Sequence, residues 1–437
     1  MIYERIFIFV CVAFYSCVQG SPLSTNEEHN RGGSSNENGD TRLGILVSPI
    51  MSWKTMREIV IHWSLSDLRE GDKLILYNGE PEVNGTEAVY AHEPSATRGT
   101  RRTKVRARFV PTEELTFEDR CLNYYLAWVR DRVIRKTTCL ATHPNWMTQR
   151  RATLGSMRLN QIFIPGTHDS GAYDKRENSK FESVVDKYTI TQDEDILSQL
   201  IYGVRYLDIR VGRYPGVGSL WWVNHGYFSI HPLSTVIEDV KIFLNNTQEI
   251  VIFDVQEFPV GFERDSFAKH DELVAYLEDQ FADYYLPKTD RGWGLSLDEI
   301  WASGKKLIIG YDNNRVYPMH DSMWPPVTHR WPNVKQLNAL YRKISRFENG
   351  SDPVKNFSQP NRPPSSVMAQ LTPETLDALL DLLGGLRSMA ELVNANVTDW
   401  YNGNWRCTAN IVSMDYIRSS GIIEAALEWN DRRASIC

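Results

Sequence analysis

Two histidines and one arginine of this chain stand at or near the ends of apolar runs. One short apolar run leads into His168, another leads into His225, and the run between them carries Asp208 and Arg210. A histidine base, a histidine acid and a guanidinium that neutralises phosphate oxygens form a minimal set for cleaving a phosphodiester. The residue types therefore indicate phosphodiester chemistry.

The middle run alternates in the way a strand does. Period two places Tyr206, Asp208 and Arg210 on one face, and the apolar face opposite should pack against helices. Asp254 and Asp415 end two later apolar runs. A plain salt bridge, structural histidines and helix-capping aspartates are the alternative interpretations. The joint occurrence of these groups at strand ends favours a functional site.

Strands and helices alternate from residue 154 to residue 437. The helical stripe of Pro232–Asn245, for example, precedes the apolar strand Glu249–Val255. This alternation predicts an α/β barrel of the TIM type, in which function lies at the carboxyl ends of the strands. A doubly wound open sheet is the alternative, but no glycine-rich phosphate loop follows the first strand.

The residues before the predicted barrel show a different sequence pattern. Residues 43–146 contain short alternating strands such as Glu58–Trp63, which predict a small all-β sandwich of immunoglobulin or fibronectin type. Residues 21–42 are rich in Ser, Asn, Glu and Gly and are predicted to be a disordered lead-in. Residues 1–20 place Arg5 before the apolar run Ile6–Val18, as a signal peptide does. A buried N-terminal strand is the alternative for that run.

Cysteines and glycosylation sequons agree with secretion. Four cysteines remain after the predicted signal peptide, and they allow three pairings. We favour Cys121–Cys139 and Cys407–Cys437 because each pair is local in sequence. Asn-X-Ser/Thr sequons, which predict a glycoprotein, occur at Asn84, Asn245, Asn349, Asn356 and Asn396.

The charge balance argues against nucleic acid as a partner. The formal net charge is −7, whereas binding to a phosphate backbone requires a basic face.

Three motifs carry a resemblance to a known family. They are Phe163–Gly171 (Phe-Ile-Pro-Gly-Thr-His-Asp-Ser-Gly), Leu207–Arg210 (Leu-Asp-Ile-Arg) and Asn224–Gly226 (Asn-His-Gly). They resemble the X-box signature of phosphatidylinositol-specific phospholipase C, and within it the X domain-containing proteins of eukaryotes and their bacterial relatives. The resemblance covers about residues 154–437 and leaves the sandwich outside.

The resemblance implies a mechanism for the histidine pair. His168 would be the base that takes a proton from the inositol 2-hydroxyl. His225 would be the acid that protonates the leaving lipid oxygen. The first product would be a 1,2-cyclic inositol phosphate.

The resemblance also implies roles for the charged residues. Arg210 would stabilise the pentavalent phosphorane, and Asp169 would support the phosphate side. Asp208 would position Arg210 or the acid histidine, and Asp415 would orient the base histidine. Asp254 and Tyr311, in later predicted strands, are assigned to substrate binding.

No metal and no cofactor are expected. Calcium-dependent members of the family carry asparagine after the first histidine and glutamate two residues before the strand aspartate. Here these places hold Asp169 and Tyr206, and the cationic Arg210 would repel a metal. Oxygen ligands near Asp254 leave a divalent ion as the alternative.

The expected partners are a phosphoinositide or GPI-type lipid and, transiently, a membrane surface. Trp221, Trp222, Tyr227 and Phe228 flank the second histidine, and Trp324 and Trp331 lie in a long insert. Such aromatic residues suit a lipid interface or the barrel core. The rival functions are a metal-dependent enzyme of the sphingomyelinase D or glycerophosphodiesterase type and a non-catalytic binding module.

Overall fold

A computed structural model describes residues 41–51, 57–81, 86–174, 182–263, 267–350 and 361–437. The predicted signal peptide, nearly all of the predicted lead-in, and the sequons at Asn84 and Asn356 lie outside the described residues.

Two antiparallel sheets form the first part of the chain. Their strands are Arg42–Val47 (β1), Glu58–Ser64 (β2), Lys73–Asn78 (β3), Glu87–His92 (β4), Arg98–Arg106 (β5), Arg120–Arg130 (β6) and Val133–Thr142 (β7). One sheet has the order β1-β2-β5 and the other β4-β3-β6-β7. Alternate residues such as Leu74, Leu76 and Leu126 are fully buried between the sheets. The predicted all-β sandwich is therefore present.

A parallel sheet forms the second part. Its strands are Ile164–Thr167 (β8), Tyr206–Arg213 (β9), Val251–Glu257 (β12), Leu307–Tyr311 (β13), Met323–Trp324 (β14), Thr328–Arg330 (β15), Ser365–Met368 (β16) and Ile411–Met414 (β17). Their order is β14-β13-β12-β9-β8-β17-β16-β15. Two further strands, Trp221–His225 (β10) and Phe228–Pro232 (β11), form a hairpin that pairs antiparallel with β9. The predicted fold class, a TIM-type barrel after an all-β part, is confirmed.

Helices cover the outside of this sheet. Their bounds are Trp146–Gln149 (α1), Arg151–Leu154 (α2), Val184–Thr189 (α3), Ile196–Tyr202 (α4), Leu233–Asn246 (α5), Phe267–Phe281 (α6), Leu297–Ala302 (α7), Leu337–Glu348 (α8), Thr375–Leu379 (α9), Gly385–Gly403 (α10) and Ile422–Ile436 (α11). The helices α9 and α10 are separate, and Gly384 and Gly385 between them adopt positive φ angles of 68° and 86°. Among the described residues, no helix is long and apolar enough to cross a membrane.

The sheet β1-β2-β5 contacts the barrel helices through polar pairs. Arg42 binds Glu428 of α11 at 3.0 Å, and His62 contacts Asp399 of α10 at 3.0 Å. All described residues belong to one compact unit. The boundary that we predict between sandwich and barrel therefore stays a prediction.

The structure has the predicted disulfide pairing. Cys121 of β6 is joined to Cys139 of β7, and Cys407 is joined to Cys437 at the end of α11. Of the described sequon asparagines, Asn245 and Asn349 are exposed, whereas Asn396 is half-buried within α10. Glycosylation of these sites stays a prediction.

Candidate active site

The candidate site lies where β8, β9 and β17 end side by side. His168 and Asp169 follow β8, Arg210 lies in β9, and Asp415 follows β17. Close approach of these strands requires Gly166, because a Cβ there would lie 2.7 Å from Ser413 Oγ. Parallel strands bring their carboxyl ends to one edge, so four groups from three separate strands converge.

His168 lies between a carboxylate and a guanidinium. Its Nδ1 is 2.7 Å from Asp415 Oδ1, and its Nε2 is 2.7 Å from Arg210 Nη2. Arginine only donates, so Nε2 accepts and Nδ1–H donates to Asp415, which assigns the tautomer. Burial lowers the pKa of His168, but the Asp415 carboxylate outweighs it and raises that pKa from its ordinary value. This is the arrangement of an oriented general base.

Arg210 is surrounded by carboxylates. Its Nη2 is 3.4 Å from Asp208 Oδ2, its Nε is 3.5 Å from Asp169 Oδ2, and its Nη1 is 3.5 Å from Glu257 Oε2. Burial disfavours the charged guanidinium, but these carboxylates outweigh it and raise the pKa of Arg210. Arg210 therefore carries a fixed positive charge beside the base histidine.

The two aspartates beside Arg210 differ in their ionisation. Burial raises the pKa of Asp169 to about 8, and neither of its carboxyl oxygens has a hydrogen-bond partner among the described residues. Burial also opposes ionisation of Asp208, but Arg210, His329 and His168 outweigh it and lower the pKa of Asp208. Asp208 Oδ2 also accepts the backbone N–H of Asp169 at 2.9 Å. Asp208 is thus a charged support, whereas burial opposes the ionisation of Asp169 beside the same guanidinium.

His225 faces His168 from the hairpin strand β10. The two ring centroids are 6.3 Å apart and the rings are perpendicular. Its Nδ1 is 2.9 Å from the carbonyl oxygen of Thr189, which leaves Nε2 free to face a substrate. Burial, followed by the charges of Arg210 and His168, lowers the pKa of His225 to about 3. An anionic phosphodiester beside it would raise that pKa again and let the ring carry the proton of a general acid.

Asp254 lies below this cluster rather than at its open side. Its Oδ2 accepts the Tyr206 hydroxyl at 2.9 Å and the Gln256 amide at 2.6 Å, and burial raises its pKa to about 8. The same hydroxyl is 2.6 Å from Nε2 of His329. Asp254 is therefore fully buried and holds the Tyr206 hydroxyl, and its predicted role in substrate binding stays a prediction.

Tyr311 is not part of the cluster. Gly310 faces inward, since a Cβ there would lie 2.0 Å from Asp254 Oδ1. Period two therefore sends Tyr311 outward, where its hydroxyl is 2.7 Å from Nδ1 of His270 on α6. The structure therefore does not bring Tyr311 to the cluster around His168, and its role in substrate binding stays a prediction.

Sequence reasoning missed His329, whose ring contacts Tyr206, and a buried amide, Gln370. His329 has its pKa lowered to about 4 by burial and lies in a three-residue strand, which is too short to show a period. Gln370 follows β16, is 5% exposed, and has no hydrogen-bond partner for either amide atom among the described residues. Met368 and Ser366 precede it on the same face, and Ser366 Oγ lies 2.7 Å from Ser413 Oγ inside the barrel. A buried amide without partners suits a polar ligand.

The predicted aromatic residues divide into two groups. Trp221 and Trp324 are buried in the core, at 4% and below 1% exposure. Tyr227 and Phe228 are exposed in the hairpin after His225. Trp331 is also exposed, and its ring lies 6.3 Å from that of His168.

In the described part of the chain, no group of three or more His, Cys, Asp or Glu side chains has a geometry that could hold a metal ion. Asp169 and Asp208 contact Arg210 instead. Independence from a metal stays a prediction.

The chain is similar in sequence to several named proteins. No model of a protein family matches it. It is 24% identical over 312 residues to the PI-PLC X domain-containing protein 1 of Mus musculus, covering 65% of this chain and 86% of the relative. This chain is similar to the PI-PLC X domain-containing proteins. The resemblance seen in the three motifs is confirmed.

Two phospholipases C are also similar to this chain. It is 25% identical over 305 residues to the variant-surface-glycoprotein phospholipase C of Trypanosoma cruzi, covering 60% of this chain and 78% of the other. A variant of the phosphatidylinositol-specific phospholipase C of Staphylococcus aureus superposes with a TM-score of 0.50 at 17% identity, covering 65% and 96% of the two chains. The second likeness concerns the fold alone.

Proposed function

We propose that this protein is a phosphodiesterase that cleaves the head group of phosphatidylinositol or of GPI-type lipids. One observation carries the proposal. Asp415, His168 and Arg210 form a continuous hydrogen-bonded row, with His225 facing the base histidine. The names of the relatives, which include phospholipases C, support the same reaction class.

In the proposed first step, Nε2 of His168 removes the proton of the inositol 2-hydroxyl. The oxygen attacks phosphorus, and the bond from phosphorus to the lipid oxygen breaks. His225 gives its proton to that oxygen, so the products are a cyclic inositol phosphate and the free lipid alcohol. Arg210 Nη2 turns from His168 to the phosphate oxygens, which frees Nε2 for the proton.

The course of the reaction tests this proposal. Phosphorus NMR of phosphatidylinositol with the purified protein should show the 1,2-cyclic phosphate first and the acyclic monophosphate only later. The 2-hydroxyl is held beside phosphorus, so no water need be ordered for the first step. An acyclic monophosphate as first product would indicate metal-activated water. Binding of the head group without any turnover would indicate a binding module.

We propose further that the enzyme acts outside the cell. The signal-peptide pattern, the two disulfides and the sequons support this localisation.

We also propose that the protein seats on a membrane through an apolar rim. The apolar rim consists of Leu376, Leu379, Leu380 and Leu382, each at least 63% exposed. Within it, Asp381 binds Lys187 of α3 at 2.5 Å, and the next residues of α3 lead to Thr189, whose carbonyl oxygen contacts His225. The apolar rim therefore lies close to the histidine pair, where a lipid substrate must arrive.

Serine at two positions of the apolar rim should weaken binding to vesicles. The double variant Leu379→Ser with Leu382→Ser should raise the Kd for phosphatidylinositol vesicles at least about tenfold, since burying one leucine contributes about 1.5–3 kcal/mol. Leu392→Ser, at an exposed position of α10 outside the apolar rim, is the matched control. Sedimentation with vesicles measures binding, and hydrolysis of soluble cyclic inositol phosphate should stay unchanged. Equal vesicle binding by the double variant and the control would contradict the role of the apolar rim.

A further inference from the structure

One arginine from the sandwich side reaches a loop of the barrel. Arg57, which directly precedes β2, places Nη1 2.9 Å from Glu194 Oε1 and Nη2 3.2 Å from Asp193 Oδ2. Both carboxylates are at most 7% exposed. We call residues 189–194, which run from the last residue of α3 toward α4, the bridging segment.

Two barrel arginines bind the same pair of carboxylates. Arg387 of α10 lies 2.6 Å from Asp193 Oδ1, and Arg418 lies 3.4 Å from Glu194 Oε1. Arg57 is the member of this network that comes from outside the barrel. Without Arg57, each carboxylate loses one of its two arginine partners in this network, so Asp193 and Glu194 should shift toward Arg387 and Arg418.

The bridging segment also holds both histidines. The carbonyl oxygen of Thr189 accepts Nδ1–H of His225 at 2.9 Å. Thr191 Oγ1 donates to the carbonyl oxygen of Asp169 at 2.9 Å. Gln192 Nε2 donates to the carbonyl oxygens of His168 and Met414, at 3.2 and 2.8 Å. A movement of this segment therefore changes the position of each histidine.

We propose that Arg57 is a positioning residue, through which the sandwich holds the bridging segment in the place that aligns His168 with His225. This role rests on the proposed function as far as turnover is concerned. The sandwich then takes part in catalysis through the bridging segment. Acid–base transfer depends on donor and acceptor geometry, so a displacement of less than 1 Å affects kcat more than KM.

Arg57→Ala tests the proposal, with Arg42→Ala as the matched control. Arg42 makes another ion pair between the sandwich sheet and the barrel, with Glu428 of α11, away from the bridging segment. On soluble cyclic inositol phosphate, Arg57→Ala should lower kcat about tenfold with KM nearly unchanged, because misplacement of catalytic groups by about 1 Å costs up to about 10²-fold. Arg42→Ala should keep both constants.

NMR of ¹⁵N-labelled histidine side chains gives a second readout that does not depend on turnover. The ring signals of His225 and His168 should shift in Arg57→Ala and stay in place in Arg42→Ala. If Arg57→Ala does not fold, the same measurements are made on Arg57→Lys and Glu194→Gln. Lysine cannot bridge two carboxylates as the guanidinium fork does, so the same changes are expected at smaller size.

The outcomes separate this inference from the proposed function. Wild-type kcat together with unchanged histidine signals in a folded Arg57 variant would overturn the positioning role. Equal effects of the Arg57 and Arg42 variants would also overturn it, because they would indicate general loosening of the interface. A wild-type protein that turns over no phosphodiester would refute the proposed function, while the histidine signals would still decide whether Arg57 positions the pair.

Discussion

Alanine in place of His168 or His225 should lower the turnover of phosphatidylinositol by at least about 10²-fold, the usual contribution of a positioned acid or base. His168 has its Nδ1–H fixed by Asp415, which presents Nε2 as the acceptor. His225 is the histidine that faces it, at 6.3 Å between ring centroids. Removing either ring removes one of the two proton transfers, and water has no fixed place from which to substitute.

His231→Ala is the control for this prediction. That ring stacks on Tyr173 at 4.3 Å, in the strand that follows the hairpin turn. Initial rates on phosphatidylinositol micelles, with urea unfolding to verify folding, make the comparison. Wild-type rates in both the His168 and His225 variants would show that the pair is not catalytic.

Arg210→Lys should cost about 10²–10³-fold in kcat, comparable to removal of one donor that stabilises transition-state charge. The guanidinium contacts Asp169, Asp208 and Glu257 at 3.4–3.5 Å while it donates to His168. One ammonium group cannot hold these positions and also contact two phosphate oxygens. We expect the wild-type rate to survive EDTA, because this fixed charge performs the neutralisation.

Arg213→Lys is the matched control, since Arg213 lies in the same strand and pairs at the surface with Glu272. Rates of the three proteins, each with EDTA and with added calcium, separate the two sources of positive charge. Complete loss of wild-type activity in EDTA, restored by calcium or magnesium, would contradict the role given to Arg210.

The periodicity of the sequence was sufficient to predict much of the candidate site. Period two in the strand of Asp208 and Arg210 predicted their shared face, and both contact the cluster around His168. The helix predicted over Pro232–Asn245 is observed over Leu233–Asn246, because its apolar stripe is continuous. Periodicity succeeds where a segment is long enough to show it.

Two side chains lie away from the site, for identifiable physical reasons. Tyr311 was assigned to the site from its place near a strand end, but the register turns it toward His270. Trp324 was considered for a lipid interface, but its ring is buried and its Nε1 donates to the carbonyl oxygen of Leu286. Composition alone does not distinguish a rim aromatic from a core aromatic, since both require a large apolar side chain.

The sequence by itself determined the chemistry: two histidines, a guanidinium and carboxylates at strand ends, and cysteines close enough in sequence to pair locally. The tertiary structure alone decided which of these groups meet. Asp415 contacts His168 across 247 residues, which the family resemblance implied but no local pattern could, and Arg57 contacts Glu194 across 137. The periodicity of a segment predicts which face of the strand or helix a side chain occupies. It does not predict which residues of other segments pack against that face. The partners depend on strand order, register and the docking of the sandwich, which are settled when the whole chain packs.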